Sequence, residues 1–129
     1  MMDMKIRTFQ FAVATGKLIM SLPPGRVNNV YLNQLAKSSS SVGANYRAAR
    51  RGKSDADFLN KLKIAEEEAD ECIYFLELIS EFNPEFKEHI SFLIKEGAEI
   101  LKIIVASITT TRQKIALKKD TNAEMGNNN

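Results

Sequence analysis

Seven residues between Phe58 and Ile79 constrain this chain more than any others. Phe58, Leu62, Ala65, Ala69, Cys72, Leu76 and Ile79 recur at alternating spacings of four and three without a break. Residues so spaced share one face of a helix, so this is a seam packed along its length against other helices. Ser54, followed by Asp55 and Asp57, makes a good N-terminus for that helix, and Asn83-Pro84 ends it. A helix over about 55–82 is predicted. Ile73, Phe75, Leu78 and Phe82 add a second stripe to its C-terminal half. Such a helix must be met by partners from the rest of the chain.

Three further helices are predicted. The first covers about 3–22, capped by Asp3 and ended by Pro23-Pro24-Gly25. Ile6, Phe9, Val13, Gly16 and Met20 are its expected inner face, widened by Leu18 and Ile19. The second covers about 27–51, with Val27, Val30, Tyr31 and Leu35 as core residues before Val42 and Tyr46. Gly52 is expected to end it in the left-handed conformation. The fourth covers about 84–119, with Pro84 in its first turn and Asn83 as cap. Phe86, Ile90, Leu93, Gly97, Ile100, Ile104, Ile108, Thr111 and Ile115 repeat along it. Residues 120–129 are expected to form a disordered tail. Four long helices on short connections predict an all-α protein, an antiparallel up-down-up-down four-helix bundle occupying 1–119.

The second helix changes character midway. Ser38, Ser39, Ser41, Gly43, Ala44 and Asn45 are small or weak helix formers, so a helix there needs close tertiary support. Reflecting the chain about Gly52-Lys53 sets Ser38 and Ser39 level with Glu67 and Glu68. A structural polar seam of Ser38, Ser39, Ser41, Asn45, Glu67 and Glu68 follows, with serine hydroxyls bonded to the carboxylates. The other reading of Glu66 to Glu71 is a solvated face that never meets the serines.

Residues suited to catalysis are scarce. The sole histidine, His89, has Phe86 three positions before it, so the Glu-x-x-His pairs of di-metal bundles are missing. No serine or cysteine nucleophile has a base at useful spacing, and phosphate-cradling glycine loops are absent. Cys72 lies on the apolar seam and reads as a buried thiol. A single cysteine fits a reducing compartment and excludes an internal disulfide. No catalytic residue, metal or cofactor is expected. Neither is a leader or a membrane span, because charged and polar residues interrupt every apolar run, so the expected location is the cytoplasm.

Charge offers a more specific lead. The net charge of +2 is uninformative by itself. Arg47, Arg50, Arg51, Lys53, Lys61 and Lys63 nevertheless gather around the turn between the second and third helices. Against Asp55 and Asp57 they leave a local excess of four positive charges. The negative end of the second helix accounts for Arg50 and Arg51, but not for Lys61 and Lys63 beyond the next cap. These six residues are candidates for binding the phosphates of RNA or DNA. Aromatic residues among them are few, which argues against base stacking.

Residues 34–79 also carry a family resemblance. Gln34-Leu35, then SSSVGANYRAARRGKS (39–54), then DFLNKLKIAEEEADE (57–71) resemble the 23S rRNA-intervening-sequence proteins. The matching positions include Gln34, Ser39, Ser41, Val42, Ala44, Asn45, Arg47, Arg51, Ser54, Phe58, Leu62, Ala65, Glu67, Glu68 and Glu71. Many members have Glu-Gly where this chain has Ala48-Ala49. The resemblance implies a four-helix bundle that assembles as a homopentamer. It extends to the accessory protein of diversity-generating retroelements, a basic pentameric barrel to which nucleic-acid and reverse-transcriptase binding are ascribed. Two functional expectations follow: a non-enzymatic homopentamer binding RNA or DNA through a basic rim, or a structural or protein-interaction bundle with no nucleic-acid role.

Overall fold

Local chemistry sets each helix end in the computed structural model, which describes residues 2–127. Helix α1 (Met4–Ser21) begins where the Asp3 carboxylate accepts from the Lys5 amide at 2.8 Å, and Pro23-Pro24 follows its end. Helix α2 (Arg26–Arg50) is followed by α3 (Asp55–Phe82), whose Ser54 hydroxyl accepts from the Asp57 amide at 3.1 Å. A single 3-10 turn, Pro84–Phe86, leads into α4 (Lys87–Asn127). No strand occurs among the described residues, and the protein is all-α.

Contacts fix how the helices pair. Asn28 meets Asn83 and Ser38 meets Cys72, so α2 and α3 run antiparallel. Gly97 lies beside Ile73 while Lys118 reaches Asp55, so α3 and α4 do too. Helix α1 packs against α2 and α4. The core is the seam read from the sequence: Leu62, Ala65, Ala69, Cys72, Leu76 and Ile79 are all buried, against Leu35, Val42, Ile90, Ile100 and Ile104. At roughly 1.5–3 kcal/mol for each large apolar side chain removed from water, this cluster supplies most of the drive to fold.

Helix α1 buries a face turned away from most of the expected stripe, of which Leu18 alone is fully buried. Thr8, Phe11, Thr15 and Leu18 point inward, whereas Ile6, Phe9, Val13 and Met20 are exposed, Met20 by 87%. The reason is proximity. A Cβ built on Gly43 of α2 would lie 3.2 Å from Thr8 Oγ1, and one on Gly97 of α4 would lie 3.3 Å from the Phe11 ring. Backbones that close admit threonine, and the Thr8 hydroxyl is satisfied by donating to the Met4 carbonyl at 2.7 Å. Among the described residues, Thr15 Oγ1 is the buried side-chain polar atom with no hydrogen-bond partner. Val27 and Val30 of α2 are likewise exposed rather than core, and Leu32 takes the inward position.

Three other expectations change. Gly52 is not left-handed; none of the described residues occupies the left-handed region. Glycine is needed there for space, because a Cβ would lie 3.0 Å from the Ala49 carbonyl oxygen and 3.1 Å from the Phe58 nitrogen. The Asn83 side chain does not cap the next helix. It turns inward, where its amide and that of Asn28 exchange two hydrogen bonds of 2.8 and 2.9 Å and also reach the Ile79 and Pro23 carbonyls. Finally, α4 does not end near Lys119. The stretch expected to be a disordered tail is helical through Asn127, and residues 128 and 129 lie outside the described residues.

Candidate nucleic-acid interface

The basic residues around the α2–α3 turn separate into four settings. Arg50 and Lys53 line an open hollow of about 730 Å³, floored by Ala49, Gly52 and Phe58. Arg51, Lys53 and Lys61 line a second, of about 410 Å³, on the other side of the turn. Arg47 stands one turn back, its guanidinium 5.7 Å above the Phe9 ring of α1. Lys63 is exposed and lines neither hollow. Of the six expected residues, Arg50 and Lys53 therefore share one hollow, Arg51, Lys53 and Lys61 the other, and Arg47 and Lys63 line neither.

The far wall of the larger hollow comes from residues the sequence reading left out. Lys114 and Lys118 of α4 stand one helical turn apart and both reach Asp55, with Nζ–carboxylate distances of 3.6 and 2.6 Å. Those lysines hold the Asp55 carboxyl below its ordinary range, chiefly through the Lys118 hydrogen bond. Asp55 also sits in the first turn of α3, where the helix dipole favours its charge. Counting outward from Pro84 along antiparallel α3 and α4 would have found the juxtaposition.

The polar seam takes a different form from the one expected. The Ser38 hydroxyl donates to the Leu35 carbonyl and accepts from the Cys72 thiol, both at 3.3 Å. Ser39 donates to the Ala36 carbonyl, and the Asn45 amide donates to the Ser41 carbonyl. None of these groups bonds to Glu67 or Glu68. Ser38 meets Cys72, five residues beyond the Glu67 that reflection about Gly52-Lys53 sets level with it, so a thiol and not a glutamate stands opposite. Glu67 is exposed and Glu68 half-buried. Partial burial, then Glu71 and Glu67, push the Glu68 carboxyl above its ordinary value, and Lys37 only partly opposes them. Burial drives the Cys72 thiol up to about 12, so it has negligible thiolate character. His89 is exposed on α4.

Among the described residues no group of three or more His, Cys, Asp or Glu side chains is placed to hold a metal ion. No described helix is long and apolar enough to cross a membrane.

Comparison with known proteins joins this geometry to the sequence motif. No curated protein matches the chain. A crystal structure of a protein of unknown function from the S23 ribosomal protein family of Bacteroides thetaiotaomicron is 34% identical. It superposes with a TM-score of 0.73 over 82% of this chain and 98% of that one. Residues 2–106 match the family described as 23S rRNA-intervening sequence protein. With most of its length matched and the bundle shared, this chain belongs to the 23S rRNA-intervening sequence protein family.

Proposed function

We propose that this protein is a non-enzymatic, homo-oligomeric bundle that binds RNA or DNA through the basic rim at the α2–α3 turn. The observation that carries the proposal is the larger hollow. Arg50, Lys53, Lys114 and Lys118 surround it, against Asp55 as its one carboxylate. An open concave surface with that excess of cations suits a phosphate backbone, and with the half-buried Phe58 as its one aromatic lining residue it suits binding with little base stacking. The family description, which names an intervening sequence of 23S rRNA, supports RNA as the nucleic acid to test first.

The outer face of α1 supports self-association. Ile6, Phe9, Val13 and Met20 form an exposed apolar stripe that a monomer leaves in water. A ring of five copies, as the family resemblance implies, covers such stripes and repeats the basic rim, so that weak individual contacts add up. The same stripe also favours the second reading, a bundle that only associates with proteins.

Fluorescence anisotropy with labelled single-stranded RNA and duplex DNA across a salt series separates the two. Phosphate binding predicts a log–log slope of about −0.9 per phosphate neutralised on duplex DNA, and about −0.7 on single strands. Arg50→Glu/Arg51→Glu is expected to abolish binding while retaining the helical circular-dichroism spectrum. Absence of salt-dependent binding by the unaltered chain rejects the first reading. A monomer mass in sedimentation equilibrium rejects the ring.

A further inference from the structure

The family match stops at residue 106, yet α4 continues as one unbroken helix through Asn127. Beyond Thr111 that continuation buries little: Ile115 is half-buried, and 112–114 and 116–126 are exposed. Its firm attachments to the bundle include the two ion pairs from Lys114 and Lys118 to Asp55. Both lysine side chains remain 61% exposed. They therefore keep most of their freedom to turn toward a ligand in the hollow, whose opposite wall carries Arg50 and Lys53.

We propose that the α4 extension makes the α2–α3 turn into a two-walled clamp for a phosphodiester, with Lys114 and Lys118 as its movable jaw and Asp55 as an internal stand-in for the phosphate. The proposal rests on the nucleic-acid reading above and assigns its principal phosphate contacts. An incoming phosphate takes the two lysines from Asp55. Asp55 can release them cheaply because the N-terminus of α3 continues to favour its charge. Lysine suits this exchange, being a flexible point charge that needs no fixed planar partner. The clamp is thus a property of residues outside the family's matched span, added to a turn inside it.

A four-member cycle tests the assignment: the unaltered chain, Asp55→Asn, Lys114→Gln/Lys118→Gln, and the triple variant. The probes are a labelled single-stranded RNA and a labelled DNA duplex, each of about 20 residues per strand, titrated across salt. Losing two phosphate contacts should reduce the salt slope by about 1.4 on the single strand and about 1.8 on the duplex. Asp55→Asn should tighten binding several-fold in the unaltered background and have no effect in the triple variant. Lys114→Arg/Lys118→Arg should restore the slope, which a merely structural role for the lysines would not require. The clamp is overturned if the lysine variant keeps the original slope, or if Asp55→Asn tightens binding equally without the lysines. If the unaltered chain binds neither probe, the functional reading fails and takes the clamp with it. Binding with an unchanged slope in the lysine variant sinks the clamp alone.

Discussion

The two ends of the bundle treat polarity in opposite ways. At the end where α2 begins and α3 finishes, Asn28 and Asn83 satisfy each other's amides out of water, at 8% and 1% exposure. At the other end, arginines and lysines face an open hollow, and the one carboxylate lining it is already engaged by Lys114 and Lys118. The first end is closed upon itself, so its polar groups serve stability. The second leaves donors unsatisfied by protein, so its polar groups are available to something else. If that contrast is real, substitutions should cost folding energy at the sealed end and little at the open one.

The largest expected effect is at Asn83. Asn83→Ala removes its bonds to Asn28 and to the Ile79 carbonyl and leaves part of the Asn28 amide buried and unpaired. A loss of about 3 kcal/mol is expected, because a stranded buried group costs more than its bond contributed. Thermal melting should fall by about 10 °C. Replacing both asparagines with leucine should cost less than Asn83→Ala does, since no side-chain amide is then stranded and only the Ile79 and Pro23 carbonyls lose a donor. A melting shift of only about 2 °C for Asn83→Ala would erase the distinction between the ends.

Between the ends, Arg7 of α1 grips Glu96 of α4 through two bonds of 3.0 and 2.7 Å. The bond to Glu96 outweighs partial burial and raises the Arg7 pKa above its usual value. The fork is partly exposed, so Arg7→Ala should cost only about 1 kcal/mol, less at high salt. Chemical denaturation at two salt concentrations measures both; no salt dependence would show that the lost energy was packing rather than charge.

The smallest expected effect is at Glu68. A carboxyl raised above its ordinary value binds its proton more tightly folded than unfolded. Its contribution therefore favours the fold at low pH and is lost as pH rises through the raised value. Glu68→Gln should add on the order of 0.3 kcal/mol at pH ~7 and much less at pH ~3, below the ordinary glutamate range. Equal gains at both pH values would assign the effect to helix propensity instead.

How far the sequence could be read depended on whether a signal was local. The α3 seam was legible because every member lies within one helix and the second stripe is confined to its C-terminal half, although Phe58 at its start is only half-buried. In α1 two stripes compete, and hydrophobicity favours Ile6, Phe9, Val13 and Met20. The rule that decided the matter was steric, set by Gly43 and Gly97 on other helices. The polar seam failed on register. Reflection about Gly52-Lys53 assumes that α2 and α3 leave the turn level with each other, and an offset of five residues exchanges a glutamate for Cys72. At the open end, Arg50, Arg51, Lys53 and Lys61 announced themselves as a charge cluster. Lys114 and Lys118 did not, because their meeting with Asp55 spans most of two helices. Asn28 and Asn83 likewise carry no mark of being partners 55 residues apart.

The Arg7–Glu96 fork has a consequence in time. Its residues stand 89 apart in the chain, whereas the α2–α3 and α3–α4 pairings grow outward from short connections. Closing so long a loop waits on those nearer pairings and on that of α1 with α2, which places the meeting of α1 with α4 after the folding barrier. Loosening the fork should then leave the refolding rate alone and speed unfolding about fivefold, a chevron with one arm displaced. A displaced refolding arm would put the α1–α4 contact in the nucleus. Otherwise the contact that closes the bundle is the last to form and the first to open.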